Sequence, residues 1–136
     1  MRFGRSGTSA LEFAMAAPVL LTLMFGGFEL SRLLWTWQAM QLAGDLTARC
    51  VAIGGTACAT PSSYAVSAAQ GLGAALPSSG VAVSTTTPSS TTCTPPTGNT
   101  AVQVKLTLTF TSPFSTLVPA VSRTLTTLSC YPTSGD

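Results

Sequence analysis

The chain has 136 residues, a formal net charge of +2 and only 7% charged residues, against about 25% in ordinary soluble domains. That length leaves room for one small domain beside any membrane segment, and the scattered basic residues exclude an electrostatic nucleic-acid surface. With no histidine, the chain lacks the commonest proton-transfer group at neutral pH.

Residues 1–7, MRFGRSG, are a short basic leader. Arg2 and Arg5 precede an apolar run from Ala10 to Leu34, and no positive cluster follows it. This bias predicts a cytoplasmic N-terminus with the remainder outside. The run is about 25 residues, or roughly 37 Å of helix, enough to span a bilayer. Trp35 and Trp37 follow where an aromatic belt would sit. Pro18 and Gly26-Gly27 are weak points that a membrane helix tolerates. A removable signal peptide fits less well. The best small-x-small site, Ala14-Met15-Ala16, precedes the main apolar block, and Glu12 lies inside the apolar region.

Helical character continues beyond the run. Leu33, Trp37, Met40, Gly44, Ala48 and Val51 recur at three- and four-residue steps, with Gln38, Gln41, Asp45 and Arg49 opposite. Gly54-Gly55 ends this helix, which is expected from about Ser9 to Ile53. Its first half is hydrophobic all round, whereas its second half is amphipathic and requires a cover. Thr60 and Pro61 suit the start of a second helix, expected to reach Leu76 before Pro77. A first strand is expected over 80–85, followed by a Thr/Ser/Pro loop through residue 100. In 101–110, Val102, Val104, Leu106, Leu108 and Phe110 alternate with polar residues. After Pro113 and Pro119, residues 123–131 form a third strand. Leu125 and Leu128 break its alternation, which suggests a bulge near Thr126-Thr127. The fold class is α+β: a long N-terminal helix, a short second helix and an antiparallel sheet of about three strands, with the amphipathic half-helix as the sheet's cover.

Cys50, Cys58, Cys93 and Cys130 all follow the apolar run. Their even number in a small loop-rich region points to two disulfides in an oxidising compartment. Irregular spacing and the absence of histidine argue against a metal site, and no cofactor is expected. Of three possible connectivities, Cys50–Cys58 and Cys93–Cys130 fit best. Gly54-Gly55 lets the chain double back to Cys58, and antiparallel pairing of the last two strands brings Cys130 beside the loop that carries Cys93.

Two acids, Glu12 and Glu29, stand in or beside the apolar run, with Arg32 one turn after the second. Glu29 and Arg32 can pair along one helix face, which eases their entry into the headgroup region; pairing between subunits is the alternative. Glu12 has a plain reading, an acid at the inner interface reaching headgroup water. A second reading starts from Gly7. The segment SGTSALEF resembles a type IV prepilin processing site, in which cleavage follows the glycine and a glutamate is the fifth mature residue. Here Thr8 becomes the N-terminus and Glu12 the fifth residue. Cleavage creates an α-ammonium at the edge of an apolar helix, and such a charge is costly away from water unless paired. Glu12, its own or a neighbour's, can supply the partner.

Further positions extend the likeness. Glu12-Phe13-Ala14, Pro18, Glu29, Arg32 and Trp35, together with QLAGDLTARCVAIGG and the closing LSCYP, resemble TadE-like proteins, minor pilins or pseudopilins of the tight-adherence (Tad/Flp) branch of type IV pili. The likeness is strong over the first fifty or so residues and weak over the sheet. It implies a pilin-like fold, a processing site at Gly7 and Thr8, and assembly contacts at Glu12 and Phe13. It implies a prepilin peptidase, the major pilin, other minor pilins and an inner-membrane assembly platform as partners, besides lipid. The expected organisation is a leader at 1–7, an assembly helix at 8–35 and an extracytoplasmic domain at 36–136, made of a helix continuation at 36–55, a second helix at 60–76 and a stapled sheet at 80–131. The expected location is the bacterial inner membrane in a single pass, or the pilus or cell surface after assembly. An enzyme is not expected: no two carboxylates converge in the C-terminal domain, and Lys105 stands on the polar face of its strand. The competing reading is a membrane-anchored extracytoplasmic binding module that never enters a filament.

Overall fold

The computed structural model describes residues 6–86, 93, 100–112 and 123–133. Arg2 and Arg5 of the leader, most of the Thr/Ser/Pro loop, Pro113 and Pro119 lie outside the described residues. The chain divides into two units, one ending at Leu34 and one beginning at Trp35.

Helix α1 runs from Ser6 to Ala52, three residues earlier at its start than the pattern predicts. Its rich content of Leu, Ala and Met favours helix throughout. Pro18 stays within it at the cost of one backbone hydrogen bond. The end is built by backbone geometry. Gly54 adopts φ +69°, its N–H meets the carbonyl of Val51, and the N–H of Gly55 meets that of Cys50. These two bonds are a Schellman cap, and the left-handed residue it requires is glycine.

In the second unit, helix α2 spans Pro61–Gly71, with Pro61 in its first turn. It stops five residues short of the expected Leu76. Gly73, at φ +82°, donates to Gln70, and Ala74 donates to Ala69, so a second Schellman turn intervenes. Residues 74–76 then enter the core through a tight turn in which the Leu76 N–H donates to the Ala74 carbonyl at 3.1 Å, with Ala74 and Leu76 buried.

Three strands follow: β1 (Val81–Thr86), β2 (Ala101–Phe110) and β3 (Arg123–Pro132). They form an antiparallel sheet in the order β1-β2-β3. The alternation expected for β2 is present: Val102, Val104, Leu106 and Phe110 are buried, and Lys105 and Thr109 are exposed. The expected bulge in β3 is absent. Pairing runs without interruption from Ala101↔Pro132 to Phe110↔Arg123. Thr127 and Ser129 therefore face the core with Leu125, while Leu128 faces out at 47% exposure.

The covering face of α1 consists of Ala39, Met40, Ala43, Thr47 and Ala48, all buried, together with Gly44. Gln38, Gln41, Asp45 and Arg49 are exposed as expected, but Trp37 is 42% exposed, so burial of this face begins at Ala39. Ala65 and Ala69 of α2 join the same core as Val102, Val104 and Leu106 of β2. Small residues bring helix and sheet close together: a Cβ placed on Gly44 would stand 2.7 Å from Ser129 Oγ and 3.6 Å from Leu106 Cδ1. The close fit leaves the Thr127 hydroxyl buried with no hydrogen-bond partner among the described residues.

Gly44→Ala should therefore destabilise the protein by about 1–3 kcal/mol through overpacking, outweighing the gain in helix propensity of about 1 kcal/mol. Adding Ser129→Ala should restore much of the loss. Urea melts of the full chain in detergent, run as a double-mutant cycle, measure this coupling, and strict additivity would contradict the close approach.

Candidate functional site

The first unit presents α1 with its apolar side chains uncovered. Leu11, Phe13, Met15, Val19, Leu23, Met24, Phe25 and Phe28 are each more than half exposed. The helix is long and apolar enough to cross a membrane. Its polar residues are adapted to such surroundings. Thr22 Oγ1 donates to the Val19 carbonyl and Ser31 Oγ to the Gly27 carbonyl, both at 2.8 Å. Bonding hydroxyls to the helix's own backbone removes the need for water.

Gly7 and Thr8 lie in the first turn of α1, and Glu12 is exposed one turn beyond Thr8. No acid occupies the first turn itself. The helix macrodipole, whose influence fades within that turn, therefore does not explain Glu12. Glu12 has no ion-pair partner among the described residues. Phe13, beside it, is 71% exposed.

Arg32 Nη1 meets Glu29 Oε1 at 3.1 Å, an i,i+3 pair on one helix. The Glu29 side chain is only 12% exposed, and its Oε2 has no hydrogen-bond partner among the described residues. Burial of one carboxylate oxygen beside a guanidinium suits a site where a net charge would be expensive. Glu29 lies seventeen positions after Glu12, about 26 Å along a helix axis. This approaches the hydrocarbon thickness of a bilayer, about 30 Å.

In the second unit the cysteines are paired. Cys50 in the last turn of α1 bonds to Cys58, which lies in a 3₁₀ turn at Thr56–Cys58, with a Cα–Cα distance of 6.1 Å. Cys93 bonds to Cys130 with a Cα–Cα distance of 5.9 Å. Cys93 is buried, whereas Cys130 lies on the outward face of β3 beside Gln103. Among the described residues no group of three or more His, Cys, Asp or Glu could hold a metal ion.

One contact was not legible in the sequence. Trp35 Nε1 donates to the Leu72 carbonyl at 3.1 Å, tying α1 to the cap of α2.

Residues 7–49 match the family model described as TadE-like protein. The match begins at Gly7, takes in Glu12, Phe13, Glu29 and Arg32, and ends one residue before Cys50; none of the strands is included. No curated protein and no solved structure matches the chain.

The two disulfides close chain segments of different length, with sequence separations of 8 and 37. In the chain-entropy account, removing Cys93–Cys130 should cost roughly 1.4 kcal/mol more than removing Cys50–Cys58. Denaturant melts of the two double-alanine variants measure the difference, and equal losses would show that chain closure does not govern their contributions.

Proposed function

We propose, from the TadE-like character of residues 7–49, that this chain is a minor pilin or pseudopilin that takes part in assembly of a Tad-type pilus and thereby in surface attachment. A prepilin peptidase cuts after Gly7, leaving Thr8 as the mature N-terminus. The helix beyond it holds the subunit in the inner membrane with the second unit outside, until the assembly platform, the major pilin and other minor pilins draw it into a filament. The observation that carries this reading is the match beginning at Gly7, with Glu12 placed one helical turn after Thr8.

The chemistry follows from that spacing. The new ammonium and Glu12 stand four residues apart, so they can pair within one subunit; in a bundle the ammonium can instead meet a neighbour's Glu12 and fix axial register. Uncovered apolar side chains on α1 supply a surface for such a bundle. The exposed helix also supports a second reading, a single-pass anchor for an extracytoplasmic binding module. Sequencing the N-terminus of the membrane-extracted protein separates the two: a pilin begins at Thr8, an anchor keeps Met1 or loses that residue alone.

Glycine suits a narrow protease cleft at the membrane surface because it presents no side chain. Gly7→Leu should leave an uncut, membrane-inserted precursor that is absent from sheared pili. Normal trimming on an immunoblot would remove Gly7 from this role.

Glu12→Gln keeps the shape of the side chain and removes its charge. The variant should insert and be cut, yet its amount in sheared filaments should fall severalfold. Unchanged incorporation would favour the plainer role of Glu12 at the inner interface.

A further inference from the structure

In the second unit, Ala43, Gly44 and Thr47 of α1 are buried against the sheet, but Leu42, Leu46 and Ile53 are 47%, 40% and 66% exposed. At the helical turn of about 100° per residue these three fall within about 40° of one another. This stretch of α1 is therefore apolar on two faces, and its own sheet covers one of them. The charges beside the bare stripe bear on what covers the other. Asp45 is the only acid among the described residues of the second unit. Arg49 follows one helical turn later, in the order that favours pairing along a helix. Neither is in an ion pair among the described residues. With Leu46 between them, they line an open hollow of about 340 Å³ that Cys130 and Tyr131 of β3 also line.

An acid and a base one turn apart beside an apolar stripe are complementary to the same surface displaced by that turn. In a parallel copy moved four residues toward the C-terminal end of the helix, about 6 Å, Asp45 comes level with Arg49 and Leu42 with Leu46. The charges and the stripe are then satisfied by one displacement. Such a contact is head-to-tail, so each copy keeps one half of it open for the next, the kind of interface that builds filaments. The N-terminal pairing proposed above has the same step and direction. A neighbour's ammonium at Thr8 meets Glu12 when that neighbour is displaced four residues the same way. Each step is local to its own unit, and subunits repeating at a constant rise carry every residue forward by the same amount.

We propose that the Leu42–Asp45–Leu46–Arg49 surface docks a second copy of this chain, parallel and one helical turn out of step, with the neighbour's Asp45 on Arg49 and the neighbour's Leu42 on Leu46. The proposal rests on the filament reading given above and adds a contact in the second unit that sets the same register as Glu12. Leaving Asp45 and Arg49 unpaired within the subunit keeps both charges available to neighbours. Covering the two leucines supplies apolar burial at the contact, and the charges fix its offset and direction.

The test co-expresses two full-length copies carrying different epitope tags, one of them with a benzophenone side chain in place of Leu46. After irradiation of the membranes, capture on one tag and blotting for the other reads adducts between copies, and fragment masses place them on the neighbour. Adducts should lie around the neighbour's Leu42. Asp45→Arg in both copies, or Arg49→Asp in both, should lower the yield severalfold. Asp45→Arg in one copy with Arg49→Asp in the other should restore it, which also shows that both variants fold. A yield that charge reversal does not move, one that mixing does not restore, or adducts only to other proteins would overturn the contact. Adducts centred on the neighbour's Arg49 would overturn the offset, since they indicate antiparallel pairing. Sequencing the N-terminus of the same material reads the filament assignment separately. A chain that begins at Thr8 without adducts loses the contact alone, and a chain that keeps Met1 loses the assignment.

Discussion

The approach of α1 to β3 at Gly44 limits the size of everything packed around it. With Ser129 Oγ only 2.7 Å from where a side chain would begin, the layer between helix and sheet has no room for bulky residues on both sides. Alanine consequently dominates the core contributions of α1 and α2, and the larger side chains that fill space include Met40, Leu76 and the apolar residues of β2. Buried apolar area is modest in such a core, and stabilisation scales with that area. The buried Thr127 hydroxyl, without a hydrogen-bond partner among the described residues, subtracts further. Two covalent cross-links then contribute what packing alone cannot in a unit of this size.

The same helix meets a different demand before Leu34. There it has no cover, and its large apolar side chains are exposed. Hydroxyls turned back onto the backbone and the pairing of Glu29 with Arg32 reduce what would otherwise require water. Glu12 is the exception, a charge without a described partner on an otherwise apolar surface. That contrast separates it from Glu29. Glu29 is engaged within its own helix through Oε1, whereas Glu12 has no ion-pair partner among the described residues.

Patterns with a strong period were readable in the sequence, and patterns overridden by packing were not. The alternation of β2 and the long apolar run each report one environment, so their periods survive. In β3, the inward Thr127 and Ser129 carry hydroxyls, Ser129 against Gly44 of the helix, while Leu128 points outward. The broken alternation resembled a bulge although the ladder is regular. Helix α2 ends early for a related reason. Gly73 adopts a left-handed conformation, φ +82°, and turns Ala74 and Leu76 into the core. Trp37 follows the helical line of the buried face but precedes the point at which that face is covered. The acids stood out against apolar surroundings and Gly7 through the resemblance of its segment to a processing site, whereas the Trp35–Leu72 bond joins positions whose proximity depends on the folded turn.

Strand order in the sheet equals strand order along the chain. Each strand therefore adds at an open edge, and none must be threaded between two already in place. For a polypeptide delivered N-terminus first, this permits stepwise construction: helix, hairpin, then final strand. The Cys50–Cys58 link can close while most of the sheet is still to come, because both partners precede β1. The Cys93–Cys130 link waits for the last strand to dock on β2. The later bond thus marks completion: a thiol surviving at Cys130 identifies a subunit whose sheet is unfinished.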